Sequence, residues 1–190
     1  MVSMGFGYPL GVDLPGEKRG MIPNDKYYDK NYRGSWNGLT IISIAIGQGE
    51  VTATPLQIAN LGATIANRGY FITPHVVKEI EDGEMESQFS EKRYTKVRKE
   101  HYETVVQGMR AAVTGGTCRA ANIPGLDVCG KTGTAQTGRF DVNGVEYVHK
   151  WFCGFYEGIE KRIQIWKLEI YRVAESCISS YMQGKIYPLR

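Results

Sequence analysis

The sequence lacks any apolar run long enough to cross a lipid bilayer. Of its 190 residues 42% are apolar, but no run reaches the roughly 18 to 20 consecutive apolar residues that a membrane-spanning helix requires. The first residues also lack the basic start and the continuous apolar segment of a secretion signal. Translated as it stands, the chain is expected to have no signal or transmembrane segment and to stay in the cytoplasm.

Metal-binding patterns and strong charge are missing as well. The four cysteines form no Cys-x-x-Cys pair, and none of the three histidines stands beside a second histidine or a cysteine, so we expect no metal site and no cofactor. The net charge is only +3, and Lys and Arg are scattered among Asp and Glu, which argues against nucleic-acid binding. The length and apolar content suit one domain with one core.

The first 38 residues are rich in glycine, proline, asparagine and tyrosine, a composition typical of turns and irregular coil. We therefore predict a long ordered loop region over residues 1–38. Such a segment is an unusual opening for an independent domain, because connections longer than about 15 residues are uncommon inside compact folds.

Regular elements are predicted after this region. Thr54 and Pro55 supply an N-cap and a first-turn proline for a helix over 55–68. A second helix is predicted over 99–113, where the apolar stripe contains Tyr102, Val105, Val106, Met109, Ala112 and Val113. Strands are predicted over 70–73 and 76–80, and over 127–136 and 147–155, the last two as an antiparallel hairpin.

The stretch from Gly125 to Gln136 satisfies two chemical patterns. Gly125 to Thr132 fits the phosphate-binding G-x-x-x-x-G-K-[ST], whereas Lys131-Thr132-Gly133 fits the K-T-G element of serine acyl-transfer enzymes. A phosphate loop needs a strand before its first glycine and a helix that opens at the Lys-Thr pair. Pro124 stands where that strand would end, and no helical stripe follows Thr132, so the K-T-G interpretation is favoured.

On a strand, alternation would point Lys131 and Gly133 to one face and Thr132 and Thr134 to the other. Lys131 would supply a fixed cation and Thr134 a hydroxyl and a backbone N–H, beside a peptide carboxylate and a developing oxyanion. The glycine would let a substrate approach the backbone.

Several ordered motifs resemble class B penicillin-binding proteins, the cell-wall transpeptidases. They are Gly7-Tyr8-Pro9-Leu10-Gly11, Ile46-Gly47-Gln48-Gly49-Glu50, Thr54-Pro55-Leu56-Gln57, Gly116-Thr117 and Gly130-Lys131-Thr132-Gly133-Thr134-Ala135-Gln136. The resemblance covers about residues 5–155 and is strongest to penicillin-binding protein 2. It implies an α+β fold of the serine β-lactamase and penicillin-binding type, an antiparallel sheet with flanking helices.

The resemblance also implies an activity, a location and site residues. The family cross-links peptidoglycan stem peptides through an acyl-serine, is acylated by β-lactams, and acts at the periplasmic face of the bacterial inner membrane. Lys131 and Thr134 match catalytic positions, with the backbone N–H of Thr134 forming half of the oxyanion hole. Thr132, Gly133, Thr134 and Gln136 match positions that bind substrate.

The sequence departs from the family in its nucleophile. No serine has a lysine three residues later; Ser90-Glu91-Lys92-Arg93 fails by one place, and Ser35-Trp36-Asn37 stands in the wrong order to be the S-x-N motif. Without the serine the covalent step is lost, so we expect an inactive fragment whose partner is the missing N-terminal part of the domain. A non-catalytic binding module and a phosphate-loop nucleotide-binding protein are the alternatives.

Two further expectations concern the C-terminal tail and the stability of the isolated chain. Residues 1–155 are assigned to the transpeptidase domain and 156–190 to a divergent tail, with a helix predicted over 160–183 from spacings of three and four. Because the apolar faces around Tyr102, Val105, Val106 and Met109 would lack partners, the isolated chain is expected to aggregate or to pack loosely.

Overall fold

A computed structural model of the chain describes residues 1–157, and in this range the fold is α+β. It contains the helices α1 (Asp25–Tyr32), α2 (Pro55–Ala66) and α3 (Lys99–Thr114). The strands are β1 (Tyr70–Phe71), β2 (Arg93–Tyr94), β3 (Asp127–Phe140) and β4 (Glu146–Glu157). The tail helix predicted over 160–183 lies outside the described residues.

Helix α2 confirms the prediction over 55–68 and ends two residues earlier. The Thr54 hydroxyl accepts a hydrogen bond from the Gln57 backbone N–H (3.1 Å), and the Gln57 side chain accepts one from the Thr54 N–H (3.0 Å). This reciprocal pair satisfies two backbone donors that the first helical turn leaves free. The buried face of α2 is unusually polar, because it consists of Gln57, Asn60, Gly62 and Thr64.

Helix α3 confirms the second predicted helix and buries the apolar stripe Tyr102, Val106, Met109 and Val113. Val105, assigned to the same stripe from the sequence, is instead 45% exposed. The reason is the helical period, since at about 100° per residue Val105 lies about 60° around the helix axis from Tyr102, at the edge of the buried stripe. The expectation that Tyr102, Val106 and Met109 lack partners is therefore wrong, because all three are buried within residues 1–157.

Strands β3 and β4 form the predicted antiparallel hairpin. Pairing runs without interruption from Asp127 opposite Glu157 to Gln136 opposite Val148, and a bulge before Phe140 shifts the register. Helix α3 packs on β3 and α2 packs on β4. Cys129 and Phe155, a cross-strand pair, form the core with Val106 and Met109 of α3, and Ile65 and Ala66 of α2 pack against it.

The strand predicted over 76–80 is wrong. β1 pairs with β2, no strand forms over 76–80, and Pro74 comes soon after β1 ends. The backbone N–H groups of Val76 and Val77 donate to the carboxylate of Asp13 at 2.9 to 3.0 Å. Donors committed to a side chain are not available for a sheet ladder.

The first 38 residues are ordered, as predicted, but they also contain α1. The Asn24 side chain caps this helix by accepting from the Tyr27 N–H at 2.9 Å, and the helix ends at Arg33, whose φ is +52°. The loop itself is held by side chains. The Glu17 carboxylate accepts from the N–H groups of Leu10 and Gly11.

Gln57 attaches this loop to α2. Its side-chain amide donates to the carbonyl oxygens of Tyr8 (3.1 Å) and Arg19 (3.0 Å), and the side chain is only 1% exposed. The N-terminal loop is thereby fixed to the helix that packs on β4. Residues 1–157 contain no helix with both the length and the apolarity that a membrane crossing requires.

Candidate active site

Strand β3 carries all five predicted site residues, and four of them, Lys131 to Thr134, follow one another directly. Lys131 lies opposite Cys153, Thr132 opposite Phe152, Gly133 opposite Trp151 and Thr134 opposite Lys150. Cys129 faces the helices, so alternation places Lys131 and Gly133 on the helix-facing side and Thr132 and Thr134 on the other. Lys131 and Thr134 are exposed and Thr132 is half-buried.

Gly130 and Gly133 of this strand have different surroundings. A Cβ at Gly130 would lie 2.5 Å from the Phe152 ring, and one at Gly154 would lie 2.7 Å from the same ring. The ring therefore covers a cross-strand pair of glycines and leaves no space for a side chain. A Cβ at Gly133 would meet only the Trp151 Cβ, at 3.7 Å, so the strand is open at the glycine of Lys-Thr-Gly.

Lys131 and Thr132 are fixed by contacts to backbone and to a loop. The Lys131 ammonium donates to the carbonyl oxygen of Thr132 at 2.6 Å. The hydroxyls of Thr132 and Thr117 are 3.0 Å apart, which joins β3 to the segment after α3. Sequence reasoning did not assign Thr117 to the site, although Gly116-Thr117 was among the motifs that carry the family resemblance.

Gln136 lies at the other end of the predicted set, five residues or about 17 Å along the strand from Lys131. Its side-chain amide donates to the Glu146 carboxylate at 3.0 Å, and the same carboxylate accepts from the Gly138 N–H at 2.9 Å. Gln136 also lines a depression at the hairpin end with Thr137, Arg139, Phe140, Tyr147 and His149. The Lys-Thr-Gly residues are not part of that depression.

Helix α3 positions the start of β3 through Arg110. Its guanidinium donates to the Val128 carbonyl at 3.0 Å and forms an ion pair with Asp127, also at 3.0 Å. Two guanidinium nitrogens thus bind two successive residues of the strand, a geometry for which the planar fork of arginine is suited. This contact sets the position of the strand a few residues before Lys131.

Cys153, the cross-strand partner of Lys131, is a free thiol beside the predicted site. Its sulfur donates to the Ile58 carbonyl of α2 at 3.5 Å, so the thiol points to the helix. Burial raises the pKa of the Cys153 thiol. A protonated, helix-facing thiol is a poor nucleophile, and Cys153 does not replace the serine that the sequence lacks.

The other sequence patterns lie in turns. Asn37 accepts from the Leu39 N–H, and the Ser90 hydroxyl donates to the Ser87 carbonyl. The phosphate-loop alternative is wrong, because Lys131 and Thr132 lie inside strand β3 and no helix opens there. Within residues 1–157 there is no group of three or more His, Cys, Asp or Glu side chains that could hold a metal ion.

Comparison with known proteins places this geometry in a family. Residues 1–166 match the family described as the penicillin-binding protein transpeptidase domain. The peptidoglycan D,D-transpeptidase MrdA of Acinetobacter baumannii is 35% identical over 147 residues, which cover 72% of this chain and 21% of that protein. The chain therefore spans about a fifth of that relative's length.

Solved structures agree with the sequence match. Penicillin-binding protein 2 of Pseudomonas aeruginosa in complex with WCK 5153 superposes with a TM-score of 0.71 at 28% identity, over 96% of this chain and 42% of that one. Penicillin-binding protein 3 of Mycobacterium tuberculosis, complexed with aztreonam, gives a TM-score of 0.63 at 31% identity, over 82% and 35% of the two chains. With the Lys-Thr-Gly strand, the packed helices and the domain match in agreement, this chain belongs to the penicillin-binding protein transpeptidase domain family.

Proposed function

We propose that the chain is the Lys-Thr-Gly-bearing part of a peptidoglycan D,D-transpeptidase similar to penicillin-binding protein 2, and that it forms no acyl-enzyme by itself. The observation that carries this proposal is an open Lys131-Thr132-Gly133 segment on β3, in which Lys131 and Gly133 are exposed, in a sequence without any S-x-x-K. Groups that bind substrate and stabilise an oxyanion leave only residual acceleration when the nucleophile is absent.

In the assembled site, Lys131 supplies positive charge for the carboxylate of a peptide or a β-lactam. The backbone N–H of Thr134 stabilises the oxyanion, and Thr132, Gly133 and Gln136 line the groove. Three features support these roles: the exposure of Lys131 and Thr134, the space above Gly133, and the fixed position of Thr132 against Thr117. Preorganised donors of this kind are usually the largest contribution to acyl-transfer catalysis.

The substrates proposed for the assembled domain are peptidoglycan stem peptides, at the periplasmic face of the inner membrane where the family acts. β-Lactams are proposed as covalent inhibitors. The partner is the part of the domain that carries the serine. A non-catalytic binding module remains the second candidate, because the chain has the exposed Lys-Thr-Gly strand without a nucleophile.

A chimera tests the role of Lys131. Residues 1–157 of this chain replace the matching segment of the Acinetobacter baumannii D,D-transpeptidase, and labelling by a fluorescent penicillin is measured. We expect the chimera to be labelled, and Lys131→Ala to slow labelling by about a hundredfold, by analogy with the loss of one stabilising donor. Lys99→Ala, an exposed lysine at the start of α3, serves as the matched control.

The isolated 190-residue chain, treated in parallel, should show no covalent adduct by intact-mass spectrometry. A stoichiometric adduct on the isolated chain would contradict its proposed inactivity. Equal labelling of the Lys131→Ala and Lys99→Ala chimeras would contradict the proposed role of Lys131. A chimera that binds penicillin only reversibly would favour the non-catalytic binding module.

A further inference from the structure

A strongly apolar, exposed segment of the described chain lies far in sequence from the Lys-Thr-Gly strand. Residues 39–46 include four isoleucines and one leucine, and none of these eight residues is buried. Leu39 is 77% exposed, Ile42 63% and Ile46 73%. Large apolar side chains grouped on a surface mark interaction sites. We call residues 39–46 the isoleucine turn.

The isoleucine turn is free of charge as well as apolar. No Asp, Glu, Lys, Arg or His occurs over residues 34–49, and the nearest charged residues are Arg33 and Glu50. Depletion of charged residues distinguishes the centre of a protein interface from ordinary surface. A solvated loop of sixteen residues would normally contain several charges.

The turn is held in place from both ends. On its C-terminal side the Glu50 carboxylate accepts hydrogen bonds from the hydroxyls of Tyr28 (3.0 Å) and Tyr32 (2.6 Å) of α1. On its N-terminal side the Trp36 ring packs 5.4 Å from the Tyr28 ring, and its N–H donates to Asp29 at 2.7 Å. Both ends are therefore attached to the same helix.

Hydrogen bonds inside the turn fix its shape. The Ile44 N–H donates to the Ile41 carbonyl at 3.1 Å, and the N–H groups of Gly47 and Gln48 donate to the carbonyls of Ile44 and Ser43 at 2.9 and 3.0 Å. The exposed isoleucines are thus presented on an ordered backbone. Ordering before contact lowers the entropic cost of association.

We propose that the isoleucine turn is the docking surface for the part of a penicillin-binding transpeptidase domain that carries the serine nucleophile. The turn lies inside the family match over residues 1–166. The Pseudomonas aeruginosa structure that covers 96% of this chain has only 42% of its own length matched, so most of that protein lies outside the shared region. This inference rests on the proposed function and names the surface on which the serine-bearing part packs.

The test measures binding between the full chain and the upstream part of the Acinetobacter baumannii D,D-transpeptidase, ending before the region that matches this chain. The variant Ile42→Asp/Ile46→Asp places two charges in the isoleucine turn. Val142→Asp/Val145→Asp places two charges on the β3–β4 turn, where the valines are 101% and 63% exposed, and is the matched control. Circular dichroism checks that both variants keep the secondary structure of the original chain.

We expect the isoleucine double variant to bind at least about tenfold more weakly than the original chain, and the valine double variant to bind as the original does. Equal binding by both variants, or no binding by the original chain, would overturn the proposal. So would a discrete dimer of the chain, or binding to anionic lipid vesicles, that the isoleucine variant alone abolishes, because either result assigns the turn to another occupant.

The chimera described above supplies a second measurement that does not require the upstream part to fold alone. There the isoleucine double variant should lower the melting temperature and the valine double variant should not; equal melting would overturn the docking surface. The Lys131→Ala chimera tests the proposed function separately. If binding depends on the isoleucine turn but the Lys131→Ala chimera is labelled by penicillin as fast as the control, the docking surface is supported and the role of Lys131 is rejected.

Discussion

At the scale of single residues, the ring of Phe152 decides which positions of β3 and β4 must be glycine. It lies over Gly130 and Gly154, a directly opposed pair. An aromatic ring covering cross-strand glycines compensates for the side-chain contacts that glycine cannot make. No ring lies over Gly133, and the absence of a side chain there leaves the strand backbone accessible to a ligand.

Substituting these two glycines separates packing from access. Gly130→Ala would force a Cβ to within 2.5 Å of the Phe152 ring, and overpacking of this kind costs about 1 to 3 kcal/mol. Gly133→Ala, whose Cβ meets ordinary contact distances, should change the free energy of unfolding by less than about 1 kcal/mol. Urea unfolding of the chimera measures both, and equal losses would show that the ring moves aside.

The sequence predicted the strand that carries the proposed site residues better than it predicted the side chains that contact this strand. Lys131 to Thr134 lie on a strand with the expected alternation because the pattern there follows the strand period. Thr117 and Glu146 were not expected to contact Thr132 and Gln136, since those contacts join positions 15 and 10 residues apart. Local periodicity carries no information about which loop side chain lies over a strand.

At the scale of elements, helices α2 and α3 and the β3–β4 hairpin were predicted because each has a strong local signal. The capping box of α2 and the apolar stripe of α3 are short-range patterns. Helix α1 has no aliphatic stripe; its buried residue is Tyr28, and its sequence resembles the surrounding loop. Asn24 followed by Asp25 was the available signal, an N-cap with an acidic first turn.

The contacts of α1 predict an alkaline transition. Burial, followed by the hydrogen bond to Glu50, raises the pKa of Tyr28 to about 12, whereas an unfolded tyrosine titrates near about 10. The folded state therefore holds the proton more tightly, and the stability that it contributes below about pH 10 is lost as the pH rises to about 12.

Urea midpoints of the chimera at about pH 9 and about pH 11.5 measure this loss. Tyr28→Phe removes the phenol and should reduce the fall in midpoint between the two pH values. Tyr147→Phe, which removes an exposed phenol on β4, should keep the fall. An unchanged fall in the Tyr28→Phe variant would assign the alkaline transition to other groups.

At the scale of the whole molecule, the chain combines a packed centre with an unpartnered surface. Tyr102, Val106, Met109 and Phe155 are all below 10% exposed, so the centre is complete within residues 1–157. Part of the exposed apolar area is concentrated in the isoleucine turn, whereas on α3 Val105 is the one residue of the predicted stripe that is exposed. The sequence could not distinguish these cases, because a buried stripe and an unpartnered one have the same periodicity.

This arrangement predicts where aggregation of the isolated chain begins. Leu39, Ile42 and Ile46 remain in water unless another surface covers them, and exposed apolar groups of this kind promote self-association. We expect the 190-residue chain to show concentration-dependent light scattering and Ile42→Asp/Ile46→Asp to slow its growth severalfold. Val142→Asp/Val145→Asp adds the same charge at exposed positions outside the turn. Equal slowing by both variants would mean that net charge, and not the isoleucine turn, controls aggregation.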